Sequence, residues 1–164
     1  MEYSKQFKEK KELLQQKKVC AGFDGFVDYV MRPVKTRFDV ENCTHYPTID
    51  QFGEKIISLA GRSGNIELDL ASIDFGGCGP HFANGIANMG INCTCVGTMG
   101  YPDKLPVFNL NPNCKLITVG EPGYGYVFEF EDGKVLFSNI KEISRLRWND
   151  LISRISLFLR AVKR

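Results

Sequence analysis

The sequence predicts an α/β domain built on a parallel sheet, because helix and strand patterns alternate through the middle of the chain. The clearest helix lies at 80–90, where Pro80 suits the first turn, Gly90 suits the end, and apolar residues recur every three or four positions. Strand patterns follow at 92–98 and 115–120. This alternation is typical of βαβ units. A chain of 164 residues is expected to form a single domain.

The amino-terminal part begins with a helix pattern at 4–18, rich in Lys, Glu and Gln, which predicts a solvated helix. A short apolar run at 19–23 follows and ends at Asp24-Gly25. Such a run indicates a buried parallel strand whose carboxyl end opens into a loop. Ligands of parallel sheets gather at that end.

A second helix is predicted to start at Thr48, because Thr48-Ile49-Asp50-Gln51 is a capping box. In a capping box the Thr hydroxyl and the Gln side chain bond free amides. Gly61 is expected to end this helix, and partial alternation at 65–75 predicts a strand after it.

The later part of the chain predicts a β-hairpin and a final helix. Alternating β-rich runs at 124–131 and 134–139 are joined by Asp132-Gly133, a strong two-residue hairpin signal. Residues 148–164 place one apolar stripe on a helix. The stripe consists of Leu151, Ile152, Ile155, Phe158, Leu159 and Val162.

Composition and charge exclude several classes of function. The chain is 43% apolar and 24% charged, as globular proteins are, and its formal charge is only +2. Basic residues cluster at the two ends, so nucleic acid is not an expected partner. We also expect no membrane partner, because no apolar run is long enough for a span or a secretory signal. A cytoplasmic protein is therefore predicted.

Six cysteines are expected to be reduced thiols in that compartment. Cys93 and Cys95 lie two apart, where a strand would point both to one face. No Cys-x-x-Cys motif accompanies them, so buried core thiols are favoured over a metal site, and no metal is predicted.

The turn at 76–80, Gly76-Gly77-Cys78-Gly79-Pro80, lies between a predicted strand and a predicted helix. Glycines there let the backbone approach a ligand, and a helix amino end offers free amides to oxygen atoms. A tight turn without any ligand would need similar residues. The turn is neither a Walker loop nor a Gly-x-Gly-x-x-Gly motif.

Two carboxylates, Asp24 and Asp28, lie just past the first predicted strand. Either could accept hydrogen bonds from sugar hydroxyls, each worth about 1.5–3 kcal/mol when the acceptor is charged. The alternative for Asp24, which precedes Gly25, is a turn aspartate that bonds nearby backbone.

The run from Gly76 to Gly90, followed by Val96-Gly97-Thr98-Met99-Gly100, resembles the first signature of ribokinase-like (PfkB) carbohydrate kinases. The resemblance spans about 18–150 and implies a ribokinase-like parallel-sheet sandwich with a projecting β-hairpin lid at 124–139. It also implies a small-molecule sugar as partner, bound by Asp28 and the double glycine Gly76-Gly77. Together with Asp24, Gly79 and His81 these are the predicted substrate-binding residues.

Two departures from the family pattern limit these expectations. His81 stands where the family has an asparagine, which leaves the identity of the sugar open. The second family signature, Asp-Thr-x-Gly-Ala-Gly-Asp, does not occur in this sequence. That signature supplies the catalytic base and the anion hole. ATP and Mg are therefore expected for full-length members, but this chain is expected to bind neither and to hold no catalytic residue.

Three hypotheses follow from the sequence. The first is the sugar-binding part of a truncated carbohydrate kinase, without the carboxyl-terminal ATP-binding part and inactive alone. The second is a non-catalytic sugar-binding module or a lid-mediated homodimer. The third is the remnant of an interrupted kinase gene, which the DNA downstream of Arg164 would test.

Overall fold

The computed structural model describes residues 2–162, which form two compact units. The first unit contains the chain up to Phe26, the segment Phe75–Gly123 and the chain from Ile140 onward. The second contains Val27–Asp74 and Tyr124–Asn139. Lys163 and Arg164, the end of the last predicted helix, lie outside the described residues.

The described chain contains four α-helices, eight strands and one 3-10 helix. In chain order they are α1 (Glu2–Gln15), β1 (Val19–Ala21), β2 (Phe26–Arg37), β3 (Cys43–His45), α2 (Ile49–Ile57), β4 (Leu68–Gly76), α3 (Cys78–Asn88), β5 (Cys93–Gly97), β6 (Cys114–Thr118), β7 (Gly123–Phe130), β8 (Gly133–Asn139), the 3-10 helix (Ile143–Arg145) and α4 (Trp148–Val162). None of the described helices has both the length and the apolar composition needed to cross a bilayer.

The first unit is built on a parallel sheet in the order β1-β5-β6. Val19 pairs with Cys93, and Cys93 pairs in turn with Cys114. The predicted mixed α/β class with a parallel sheet is confirmed. Leu151 of α4 packs in a buried apolar cluster with residues of β5 and β6, so part of the predicted stripe does cover the sheet. The side chains of Phe158, Leu159 and Val162 lie outside the described part of the chain.

Helix α3 packs against β1 and β5 through small residues rather than large ones. Its buried positions are Gly79, Pro80, Ala83 and Ala87. Phe82, one of the apolar residues in the periodic pattern at 80–90, is 55% exposed. Small side chains allow closer approach of the helix to the sheet, which explains why the larger residues of the pattern lie outside the contact.

The second unit is built on a five-stranded sheet in the order β3-β2-β7-β8, with β4 also paired to β2. β7 and β8 form the predicted antiparallel hairpin, with Phe130 paired to Gly133 across the turn. α2 contributes the buried Phe52, whose ring lies 5.4 Å from Phe130 and 5.8 Å from Phe128. These aromatic contacts hold the helix to the hairpin.

The start of α2 is capped differently from the predicted capping box. Thr48 is the N-cap residue, but its hydroxyl donates to the Asp50 carboxylate instead of bonding a backbone amide. The Asp132 carboxylate, from the hairpin turn, accepts from the amide of Ile49 at 3.1 Å. Asp50 accepts from the amide of Gln51 at 2.7 Å. The hairpin turn therefore also stabilises the first turn of α2.

Candidate functional site

Asp24 caps the amino end of α3. Its Oδ2 accepts a hydrogen bond from the amide of Cys78 at 2.6 Å, and its Oδ1 accepts one from the amide of Gly79 at 2.7 Å. The first amides of a helix have no partner within the helix, and the positive end of the helix dipole favours a negative charge there. Asp24 thus gives both carboxylate oxygens to the backbone of the first unit.

Two glycines of the turn make room for this carboxylate. A Cβ at Gly77 would lie 3.0 Å from Asp24 Oδ2, and one at Gly79 would lie 2.9 Å from Oδ1. Gly77 also has a φ of +100°, a backbone conformation that residues other than glycine rarely adopt. Gly76, at the end of β4, is buried. The glycine pattern at Gly77 and Gly79 is therefore explained by contacts within the protein itself.

His81 lies in the first turn of α3 and is exposed. Its ring packs at 5.0 Å from the ring of Phe75, with the two planes tilted by 38°. The imidazole therefore packs on the Phe75 ring, and because His81 is exposed, the rest of the imidazole is accessible to a ligand. His81 could therefore donate or accept one hydrogen bond to a hydroxyl.

Asp28 lies in β2, in the second unit, and is half-buried. Its Oδ1 lies directly over Gly125 of β7, where a Cβ would overlap it. The next residue, Tyr29, points to the other face of the strand and stacks on Tyr126 with the ring centroids 5.9 Å apart. Because Gly125 has no side chain, the Asp28 carboxylate can occupy this position against β7.

Among the residues predicted for the site, the structure brings Asp24, Gly77 and Gly79 together in the first unit. Asp28 belongs to the second unit, and its participation in one pocket with the glycine turn stays a prediction. Sequence reasoning missed Gly125. A glycine inside an otherwise β-rich run was the available signal, because such a glycine often marks a close approach to the strand.

The buried thiols have no nucleophilic character at neutral pH. Burial raises the pKa of Cys93 to about 11 and that of Cys95 to about 12. Burial also raises the pKa of Cys114. Cys93 and Cys95 are buried, as predicted, and Cys114 is buried as well, whereas Cys20 and Cys78 are exposed. The three buried thiols act as small apolar core residues.

The turn at the start of α3 does not suit a nucleotide phosphate. The amides of Cys78 and Gly79, which could bind an anion, already donate to Asp24. A phosphate there would face the negative carboxylate and lose the amides it needs. We therefore assign no ATP or Mg ligand to this turn, and no step of phosphoryl transfer to these residues.

Comparison with known proteins gives the family. A family model described as prokaryotic ketohexokinase matches residues 4–161. The ketohexokinase of Haloferax volcanii is 30% identical over 142 residues, which is 85% of this chain and 38% of that protein.

Two solved structures are also similar. A nucleoside kinase of Methanocaldococcus jannaschii, described as an archaeal member of the ribokinase family, aligns with a TM-score of 0.40 and 14% identity over 77% of this chain and 38% of its own. A putative sugar kinase of Clostridium perfringens aligns with a TM-score of 0.42 and 15% identity over 86% of this chain and 40% of its own.

The predicted resemblance to ribokinase-like (PfkB) sugar kinases is confirmed by the family match. The chain belongs to the prokaryotic ketohexokinase family. It spans 38% of the length of the Haloferax relative.

Proposed function

We propose that this chain supplies the sugar-binding part of a carbohydrate kinase, and that the sugar is a ketohexose. In the complete reaction the γ-phosphate of ATP is transferred to a hydroxyl of the sugar. Support comes from the family match over 4–161 and from the Haloferax relative, which is a ketohexokinase.

The observation that carries the proposal is the placement of Asp28 over Gly125. A half-buried carboxylate on a sheet can accept hydrogen bonds from two neighbouring hydroxyls, each worth about 1.5–3 kcal/mol. A polyol offers such pairs. Asp28 is therefore the residue to which we assign sugar recognition, with His81, Gly76, Gly77 and Gly79 as further predicted contacts.

Asp24 supports the site in a different way. Both of its oxygens accept helix amides, so its first role is to hold the start of α3 and thereby position His81. A carboxylate has about four lone-pair sites, so a sugar hydroxyl could bond to it as well. That second contact stays a prediction.

Catalysis by this chain alone is not expected. The sequence has no Asp-Thr-x-Gly-Ala-Gly-Asp, the motif that supplies base and anion hole in the family it resembles. Loss of a general base costs about 10²–10⁴-fold in rate. Loss of an oxyanion donor costs about another 10²–10³-fold. In this proposal ATP and Mg belong to the complete enzyme.

A second candidate is a non-catalytic module that self-associates through the hairpin as a homodimer. Leu136 and Phe137 of β8 are 60% and 52% exposed, which leaves apolar surface on this hairpin. Covering such surface is favourable. Light scattering over a range of concentrations gives the mass, and a monomer at every concentration contradicts this candidate.

The experiment for the first candidate is a binding panel with the purified chain. Calorimetry or chemical-shift titration would compare fructose with glucose, ribose and adenosine. We expect saturable binding of fructose that exceeds the binding of the aldoses, and no turnover when Mg-ATP is added. A chain that binds none of the four compounds, or binds them equally, contradicts the proposal.

A further inference from the structure

A cluster of three metal-ligating side chains lies in the second unit, on β3 and β4. Cys43 and His45 are two residues apart in β3, so their side chains point to the same face. Asp69 comes from β4. β3 and β4 both pair with β2, which brings together residues 24 positions apart in the chain.

The donor atoms of these side chains converge on one place. Cys43 Sγ lies 3.6 Å from His45 Nε2, and the same nitrogen lies 3.1 Å from Asp69 Oδ2. The three atoms all lie within 4.8 Å of one another. One imidazole nitrogen therefore faces both a thiol and a carboxylate.

The two separations from His45 Nε2 lie close to the edges of a tetrahedral zinc site. Bonds of about 2.3 Å to sulfur and 2.0–2.1 Å to nitrogen place the two ligand atoms about 3.6 Å apart across a tetrahedral angle. The nitrogen-to-oxygen edge of the same tetrahedron is about 3.4 Å. The third separation, from Cys43 Sγ to Asp69 Oδ2, is at most 4.8 Å, and zinc binding would require side-chain rotation to bring it to the length of a tetrahedral edge.

The charges around the cluster also suit a divalent cation. Arg37 lies on the neighbouring strand and is paired with Glu67 at 2.6 Å, so these two charges cancel. A Cys43 thiolate and the Asp69 carboxylate then leave two negative charges, which one divalent ion balances. An ion pair between His45 and Asp69 would explain their contact, but not why the thiol lies against the same nitrogen.

From this geometry we infer that Cys43, His45 and Asp69 bind one zinc ion, with water as the fourth ligand. On binding, the Cys43 thiol releases its proton to solvent and its sulfur bonds the metal. His45 is 29% exposed and Asp69 is 50% exposed, which leaves the fourth position accessible to water. The ion links β3 to β4 and stabilises the second unit's sheet. The sequence signal was Cys-x-His within a strand.

Cobalt titration of the metal-free, untagged chain tests this site. We expect one equivalent of Co²⁺ to produce a thiolate-to-cobalt charge-transfer absorption and visible bands of tetrahedral cobalt, all removed by one equivalent of Zn²⁺. Zinc should also raise the urea midpoint of the wild-type chain. No absorption, or octahedral cobalt without a sulfur band, overturns the inference.

Matched variants separate this site from adventitious binding. Cys43→Ser, His45→Gln and Asp69→Asn should each weaken zinc binding by more than the roughly 10–100-fold that loss of an outer-shell partner causes. Cys20→Ser and Cys78→Ser replace exposed thiols outside the cluster and should leave binding unchanged. Circular dichroism identifies any variant that fails to fold. If one of the three ligand variants is unfolded, the zinc affinities of the other two test the site. Absorption that survives Cys43→Ser overturns the inference.

Discussion

Asp24 Oδ1 lies 2.7 Å from the amide nitrogen of Gly79, although the two residues are 55 positions apart. The contact joins the loop after β1 to the first turn of α3. It gives the glycine-rich turn an internal partner, the carboxylate, in the place where sequence patterns alone suggested a ligand.

Gly79→Ala should destabilise the chain, although alanine normally favours a helix. The new Cβ would lie 2.9 Å from Asp24 Oδ1 and 3.3 Å from the Cα of Gly22, so the carboxylate must move away. We expect a loss of about 1–3 kcal/mol in the free energy of unfolding, as for other overpacked positions.

Gly85→Ala is the matched control in the same helix. A Cβ at Gly85 meets nothing within 4 Å. Alanine there should stabilise the chain by about 0.5–1 kcal/mol. Urea unfolding of both variants measures the difference, and two changes of the same sign would contradict the proposed contact.

Asp24→Asn should weaken the cap of α3. The amide group keeps one oxygen acceptor but turns an NH₂ group toward the second helix amide. Loss of a capping side chain costs about 0.5–2 kcal/mol, and we expect a change in that range from urea unfolding. Asp103→Asn, at an exposed position of the same unit, is the control and should stay within about 0.5 kcal/mol of wild type. Equal stability of all three proteins would exclude a capping role.

The buried thiols should make the fold sensitive to alkaline pH. The folded state keeps Cys95 protonated up to about pH 12, whereas its ordinary pKa is 9.0. Above pH 9 the unfolded chain therefore binds fewer protons, and stability falls by about 1.4 kcal/mol per pH unit for such a thiol. Below pH 9 this stability is fully present.

Cys95→Ala isolates that effect from other titrating groups. Urea midpoints at pH 8 and pH 10 should fall less in the variant than in wild type. Equal falls would show that the thiol is not responsible. Alkylation at pH 8 gives a second measurement, in which Cys20 and Cys78 should react before Cys93, Cys95 and Cys114.

Gly125→Ala should displace the Asp28 carboxylate, because the added Cβ would overlap its Oδ1. We expect weaker fructose binding together with a loss of about 1–3 kcal/mol in stability. Gly53→Ala, in α2 of the same unit, meets nothing within 4 Å and should leave binding unchanged. Calorimetry of both variants checks this, and normal binding by Gly125→Ala would remove Asp28 from the site.

Local sequence signals predicted the elements that are marked by turn or end residues adjacent to them in the chain. Asp132-Gly133 located the hairpin, and Pro80 with Gly90 located α3 to within two residues. β2 was missed, because Pro33 and several charged residues interrupt its apolar pattern. Pro33 is buried there, so tertiary packing overrides the local preference.

Contacts between segments that are far apart in the chain could not be predicted from the sequence patterns. Alternation located the strand that became β4, but could not show that it pairs with β2 instead of joining the parallel sheet. The hydrogen bonds of Asp24 to Cys78 and Gly79 have the same character, since no local pattern encodes a partner more than fifty positions away. Sequence placed Gly77 and Gly79 correctly at the start of α3, but it placed Asp28 in a loop, whereas the structure has Asp28 within β2.

The most direct measurement of the central claim is the affinity of the Asp28→Asn variant for fructose. The change keeps the shape of the side chain and removes its charge, and Asp74→Asn is a control on the surface of the same unit. We predict at least about 10-fold weaker fructose binding for Asp28→Asn, as expected when a charge-assisted bond is lost, and normal binding for the control, with the urea midpoint of each variant measured to separate lost affinity from lost stability. Wild-type affinity in Asp28→Asn, or an equal loss in both variants, would contradict sugar recognition by Asp28.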